Sequence, residues 1–337
     1  MKENRYVIYW LLLGCFLIFT MVLVGGVTRL THSGLSISDY NLITGTIPPL
    51  NNEEWQEAYD LYKQFPEYQK LNSHFTLSDF KSIYFWEWLH RFIGRMIGMV
   101  FIIPFLYFLI RKKLSKSTIK KCLILLFLGA FQGFLGWYMV KSGLVNRPDV
   151  SHYRLAAHLT TAFLTAAYSF WVALDLIYPK KKPSMKGLIN LIRIAFVLLI
   201  VQIIWGAFVA GLDAGFIHNH WPFMNEGKLI HETVYIEQRP LINNFIEGKS
   251  GVQFVHRYMA YIITGLIFLI GFKAKKANTT FLQKKGIQSL ILLVVLQFAL
   301  GVFTLVLAVP LWLGLAHQVV GFMLLGAMTF SLHRFSK

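Results

Sequence analysis

Eight apolar stretches, each long enough to cross a bilayer, constrain this chain more than any other feature. A spanning helix needs roughly 20 apolar residues. Runs of that kind occupy about 6–27, 85–110, 121–140, 153–178, 188–211, 253–272, 286–308 and 312–333. A soluble domain carries about 25% charged residues. Here the figure is 15%, with a mean hydropathy of +0.52. The expected fold class is therefore an all-α integral membrane protein with eight transmembrane helices. No cleavable signal and no Arg/Ser-rich transit peptide precedes the first segment, which favours a bacterial inner (cell) membrane over an imported organelle protein.

The loops set the expected orientation. Arg111–Lys121 holds six basic residues, and Lys180–Arg193 and Lys273–Lys285 hold five each. The alternate loops, 28–84, 141–152 and 212–252, are longer or mixed in sign. The first carries Asp39, Glu53, Glu54, Glu57, Asp60, Glu67 and Asp79, and the last carries Glu226, Glu232, Glu237 and Glu247. Both termini are thus expected in the cytoplasm and the two long loops outside. The net charge of +17 lies in these short runs and forms no aromatic-interleaved basic face, so nucleic acid is excluded as a partner. Two cysteines exclude a disulfide scaffold and a cysteine-built zinc or iron–sulfur site.

The chain repeats itself. Glu87-Trp-Leu-His-Arg aligns with Gln253-Phe-Val-His-Arg at an offset of 166, and Gln132 and Gly136 fall on Gln297 and Gly301 at 165. His158 falls on His317 at 159, and Ser33-Gly34 on Ala214-Gly215 at 181. Matched features in one order at near-constant spacing imply two homologous halves. These are 1–182, with the long first outer loop 28–84, and 183–337, with the outer loop 212–252. Each half begins on the cytoplasmic side, so the repeat is parallel and the expected architecture is two pseudo-symmetric four-helix bundles.

Four of the eleven histidines, His90, His158, His256 and His317, sit inside apolar segments at equivalent places, two per half. Ionisable residues in spanning helices are costly and usually functional. Two imidazoles with no repeated carboxylate or thiolate make a poor zinc site, but they suit the two axial positions of a haem iron. Arg91, Arg95, Arg154 and Arg257 lie within about a turn of these histidines, as partners for haem propionates or as cations snorkelling to the outer headgroups. The residues therefore imply two haem sites. They also differ between halves. Glu87, three residues before His90 and on the same helix face, is matched by Gln253, which cannot exchange protons. A carboxylate beside one haem can act as a general base, so chemistry is expected in the N-terminal half and a resident haem in the C-terminal half. On residues alone, a dihaem b-type electron-transfer cytochrome and a non-enzymatic haem carrier for oxidase assembly stay open.

The chain resembles the haem A synthase family of cytochrome oxidase biogenesis. The resemblance runs through Gly25-Gly26-Val27-Thr28-Arg29, Ser33-Gly34-Leu35-Ser36-Ile37, Gly45-Thr46-Ile47-Pro48-Pro49, Pro66-Glu67-Tyr68 and Phe85-Trp86-Glu87-Trp88-Leu89-His90-Arg91. It continues through Gly136-Trp137-Tyr138, Gly143-Leu144, Tyr153-Arg154-Leu155-Ala156-Ala157-His158, Gly211-Leu212-Asp213-Ala214-Gly215, Gln253-Phe254-Val255-His256-Arg257 and Ala316-His317-Gln318. It covers nearly the whole chain and is closest to the subgroup shared by alphaproteobacteria and mitochondria. It implies an oxidoreductase acting on a CH group. The C8 methyl of haem O becomes a formyl group by successive water-derived hydroxylations and loss of water. By the same resemblance His256 and His317, with Arg257, hold one haem b. His90 and His158, with Arg91 and Arg154, hold the substrate haem, and Glu87 is the catalytic carboxylate. Haem O synthase, oxidase assembly factors and an electron acceptor of unassigned identity are the implied partners. The small residues Gly94, Gly98, Gly129, Gly133 and Gly136 allow close helix approach, within the chain or in a homo-oligomer.

One departure stands out. Some family members carry a cysteine pair in the first outer loop, whereas residues 28–84 here contain none. Cys15 and Cys122, at mid-helix and at a cytoplasmic edge, cannot substitute. Residues 48–84 have amphipathic helical character, which suits either a segment lying in the membrane interface or a folded loop with a small core of its own. His218, His220 and His231 in the second long loop have no fixed spacing or acid cluster that would make them a metal site.

Overall fold

In a computed structural model of the protein, residues 3–37, 44–143, 149–179, 186–225 and 227–336 are described. Asp39, Leu144, the lysines at 180–182 and Glu226, which entered the loop and motif readings, lie outside them. The ordered elements are helical: α1 (Glu3–Leu30), α2 (Asn52–Tyr62), α3 (Leu77–Ile110), α4 (Lys116–Gly143), α5 (His152–Ile177), α6 (Lys186–Gly211), α7 (Thr233–Ile236), α8 (Lys249–Lys275), α9 (Phe281–Val306) and α10 (Leu311–Phe335). Among the described residues eight of these, all but α2 and α7, are long and apolar enough to cross a membrane. They coincide with the eight expected spans. The protein is an all-α, multi-pass membrane protein. Large apolar side chains such as Ile103, Phe127, Leu292 and Trp312 face outward, the arrangement that lipid as solvent favours.

The spans start earlier than hydropathy suggests. α3 begins at Leu77 rather than near residue 85, because Thr76 and Asp79 cap each other's backbone N–H groups. α9 begins at Phe281 rather than near 286, through the same device at Thr280 and Gln283. Such S/T-x-x-D/E/Q boxes satisfy two orphan donors of a first turn even where the side chains are polar. The 34 residues of α3 span about 51 Å at 1.5 Å each, against a hydrocarbon core of about 30 Å. Its first turns therefore project beyond the membrane, and His90 lies 13 residues past Leu77 instead of near the helix start.

Two compact units are present, Met1–Thr165 and Ala166–Lys337, divided inside α5. Compactness is a different criterion from the sequence repeat, whose halves meet near residue 182. In the first unit α1 lies along α3, and α3 along α4. Trp10 donates to the Val100 carbonyl at 2.9 Å and meets Phe101 ring to ring. The first long loop is a folded element with its own core: Tyr59 and Tyr62 of α2 close on Phe80 and Ile83 of α3, flanked by Trp55, Tyr68 and Phe75. In the second unit α6 lies along α8 and α10, and α9 along α8 and α10. At the far end of α10 the buried His333 meets Asp175 at 3.0 Å.

Candidate functional site

Each of the four helical histidines faces a glycine on a neighbouring helix. A methyl group at Gly25 of α1 would meet Nε2 of His90 at 3.0 Å, and one at Gly136 of α4 would meet Cε1 of His158 at 3.3 Å. In the second unit the same holds for Gly206 of α6 against His256 (3.0 Å) and Gly301 of α9 against His317 (2.9 Å). Any larger residue would push the ring, so glycine sets where the imidazole stands. Glutamines one turn before three of these glycines brace the histidines further. Gln132 donates to the His158 carbonyl at 3.2 Å, Gln202 donates to the His256 carbonyl at 2.9 Å, and Gln297 meets Nε2 of His317 at 3.2 Å.

The histidines come together in pairs. The His256 and His317 rings stand with centroids 6.4 Å apart at 77°. Two ring nitrogens sharing one metal at about 2 Å each place their centroids about 6 Å apart, so the spacing fits a single iron. In the first unit His90 lies within electrostatic reach of His158. The buried Nδ1 atoms of His158, His256 and His317 have no hydrogen-bond partner, which is costly unless a ligand uses the ring. Among the described residues no group of three or more His, Cys, Asp or Glu could hold a metal ion by itself. A haem would need only two side-chain ligands of this kind.

Glu87 and Gln253 occupy matching positions with opposite surroundings. Both are buried, at 3% exposure. After α1 the chain turns through His32, whose φ is 51°, and the 33–37 segment folds back over Glu87. Glu87 Oε2 accepts from the Ser36 hydroxyl and from the Ile37 N–H, both at 2.8 Å. Its Oε1 accepts from Arg91 at 2.7 Å, and Arg91 also donates to the Ile37 carbonyl at 2.6 Å. After α6 the chain makes the same turn at Asp213, φ 54° and 181 positions on. There, however, Gln253 Nε2 donates to the Ala214 carbonyl at 3.0 Å and to the Ile217 carbonyl, while its buried Oε1 has no partner. The loop over Glu87 presents donors and the loop over Gln253 presents acceptors.

The arginines divide likewise. Arg257 donates to the His220 and Phe223 carbonyls and keeps Nε and Nη1 buried without partners, donors that suit a carboxylate such as a haem propionate. Arg154 donates to the Tyr138 carbonyl at 2.7 Å and stacks on that ring at 3.7 Å. Arg95 donates to the Gly45 carbonyl at 3.0 Å. Sequence reasoning did not single out Ser36 as a partner of Glu87, nor Gly25, Gly206 and Gln202 as supports of the histidines. Gly25 and Gly206 share the offset of 181 that relates Ser33 to Ala214, which was the available signal. Gln202 is matched by Met21 at that offset, so the repeat hides it. Cys15 and Cys122 form no disulfide. His218 and His231 stand with ring centroids 4.7 Å apart, tied to Ser250 and Thr233.

Fold and site together define a multi-pass helical membrane protein with two half-buried, glycine-cradled histidine pairs. Residues 8–329 match the family model COX15-CtaA, cytochrome oxidase assembly protein, and the chain belongs to that family. It is 60% identical to the heme A synthase of Flavobacterium psychrophilum over the full length of both chains. It is 61% identical to that of Flavobacterium johnsoniae, over 100% of this chain and 99% of that one. The heme A synthase of Parvibaculum lavamentivorans is 41% identical over 99% of this chain and 96% of its own.

Proposed function

We propose that this protein is a haem A synthase of a bacterial inner membrane, an oxidoreductase that converts the C8 methyl of haem O to a formyl group. The observation that carries the reading is the contrast between Glu87 and Gln253: two sites of one design, of which one holds a carboxylate. His90 and His158, with Arg91 and Arg154, hold the substrate haem. His256 and His317, with Arg257, hold one haem b in the half 183–337, and both termini lie in the cytoplasm. The resident haem b supplies one-electron redox chemistry when bound, with an electron acceptor outside the chain.

Each hydroxylation takes oxygen from water and releases a pair of electrons and a pair of protons. Glu87, which accepts from the Ser36 hydroxyl, the Ile37 N–H and Arg91, is the base that takes a proton from that water. The glycines at 25 and 136 keep the His90 and His158 rings in place, which fixes the substrate relative to Glu87. A second hydroxylation gives a geminal diol, and loss of water leaves the aldehyde.

The test is mass spectrometry of haems extracted from the purified protein, expressed in cells that also make haem O. Haem B together with haem A, or with hydroxylated haem O, is the expected result. Haem B alone at two per chain would identify an electron-transfer cytochrome instead. Reversible loss of both haems would identify a carrier.

A further inference from the structure

The first outer loop buries a carboxyl group that the reaction above leaves unused. Glu67, between α2 and α3, is 4% exposed. Its hydrogen-bond partner is neutral: the Tyr62 hydroxyl donates to Oε2 at 3.1 Å, and Asn72 donates to that hydroxyl at 2.9 Å. The charged groups that act on Glu67 are both acidic, Glu87 from α3 and Asp149 from the α4–α5 connection. Tyr62 carries the hydrogen bond to Glu67 and packs with Ile83 of α3. The other titratable side chains of this small core are the phenols of Tyr59, Tyr68 and Tyr84. Asp149 is exposed. Contacts in the first unit bring the three carboxyl groups to one region: Ile83, which closes on Tyr62, lies one turn before Glu87 on α3, and Leu35, next to the Ser36 that binds Glu87, lies with the Asp149 backbone against Gly143.

We propose that Glu67 is the proton relay of the Glu87 site, taking protons released there and passing them to Asp149 and the aqueous phase. The assignment rests on the reading of Glu87 as the base in haem O oxidation. In each transfer Glu87 loses the proton taken from water and Glu67, as carboxylate, gains it. Glu67 then releases a proton outward, so one proton leaves the site and no electron moves. A buried carboxylate with no cation beside it is costly as an ion, and burial, then the charges of Glu87 and Asp149, push its pKa up to about 8. A group with its pKa near working pH both accepts and releases protons readily. A purely structural Glu67 would only accept from Tyr62, and a glutamine does that equally well.

Glu67→Gln in the full-length protein therefore separates the two roles. Haem O turnover is measured against pH, alongside haem content and the infrared carbonyl band of protonated carboxylic acid. Wild-type turnover is expected to rise as pH passes through about 8, with an infrared band that disappears over the same range. Glu67→Gln is expected to keep both haems and KM, to lose the band and the pH-dependent rise, and to lower kcat by about tenfold. Glu67→Asp, which keeps an acid, recovers part of the rate. Wild-type kcat and pH profile in Glu67→Gln would overturn the relay while leaving the synthase reading intact. A wild-type protein that converts no haem O would overturn both. Because Glu67→Ala removes the partner of Tyr62 and can unfold the loop, the glutamine variant with full haem content decides.

Discussion

The two halves hold their histidine pairs by the same means and treat the residue three positions before the first histidine in opposite ways. At Glu87 the loop after α1 supplies the Ser36 hydroxyl and the Ile37 N–H, whereas at Gln253 the loop after α6 supplies two carbonyls. A carboxylate in the second setting would face carbonyl oxygens at close range, and an amide N–H in the first would face donors. Residue and loop match in each case, donors facing the carboxyl group and carbonyls facing the amide. The difference teaches that, on the function proposed above, a few reversed hydrogen bonds separate a reaction site from a site that only holds its cofactor.

The sharpest way to break the comparison is to remove one axial ligand from each pair. His317→Ala is expected to abolish haem b in the C-terminal half, read as loss of the retained haem in the purified protein. His158→Ala is expected to leave that haem in place and to remove substrate binding. Loss of the same haem from both variants would refute the division of labour. Next in size is Glu87→Gln, expected to lower turnover by about a hundredfold or more with both haems retained. Its reciprocal, Gln253→Glu, should gain no activity and should weaken haem retention, because the new charge meets the Ala214 and Ile217 carbonyls. Product formation in Gln253→Glu,Glu87→Gln would show instead that the halves are interchangeable.

The eight spans were legible because lipid leaves one structural solution for a run of about 20 apolar residues. Their ends were not. The capping boxes at Thr76–Asp79 and Thr280–Gln283 carry the helices through polar residues that hydropathy discards. The histidine pairs were legible from the repeat, since His158 and His317 each fall six residues after the first residue of their helices. The donors to Glu87 were not, because they depend on the left-handed turns at His32 and Asp213. Neither residue is a glycine, so neither advertises the turn. The core of the first outer loop, and with it the burial of Glu67, follows from the meeting of α2 with the overhanging turns of α3. Hydropathy had placed those turns outside the helix.

The glycine cradles offer a graded test. Gly301→Ala brings a methyl to 2.9 Å of the His317 ring, and Gly136→Ala brings one to 3.3 Å of His158. The first requires the ring to move and the second only a small adjustment, so haem occupancy should fall more in Gly301→Ala. Equal occupancy in the two would mean that the rings are not set by these contacts. Ser36→Ala is smaller still. It removes one of three donors to the Glu87 carboxyl group, a bond worth about 1.5 kcal/mol, and should cost roughly tenfold in kcat with KM unchanged. An unchanged rate would leave the Ile37 N–H and Arg91 as the groups that set Glu87.

The smallest effect concerns the stability of the first outer loop, which the second half does not share. Burial holds the Glu67 carboxyl at about 8 against an ordinary 4.5, so the folded loop favours its protonated form. Between those values the folded state binds more protons than the unfolded one, and stability falls as pH rises. The contribution is fully present below 4.5 and is lost as pH passes through about 8. Amide exchange in α2 and in the first turns of α3 should therefore quicken between pH 4.5 and about 8 beyond its intrinsic base catalysis. Glu67→Gln, which cannot ionise, should remove that excess. Persistence of the excess in the variant would show that Glu67 does not set the stability of the loop, since the loop phenols, raised above their ordinary 10 by burial, stay protonated throughout that range.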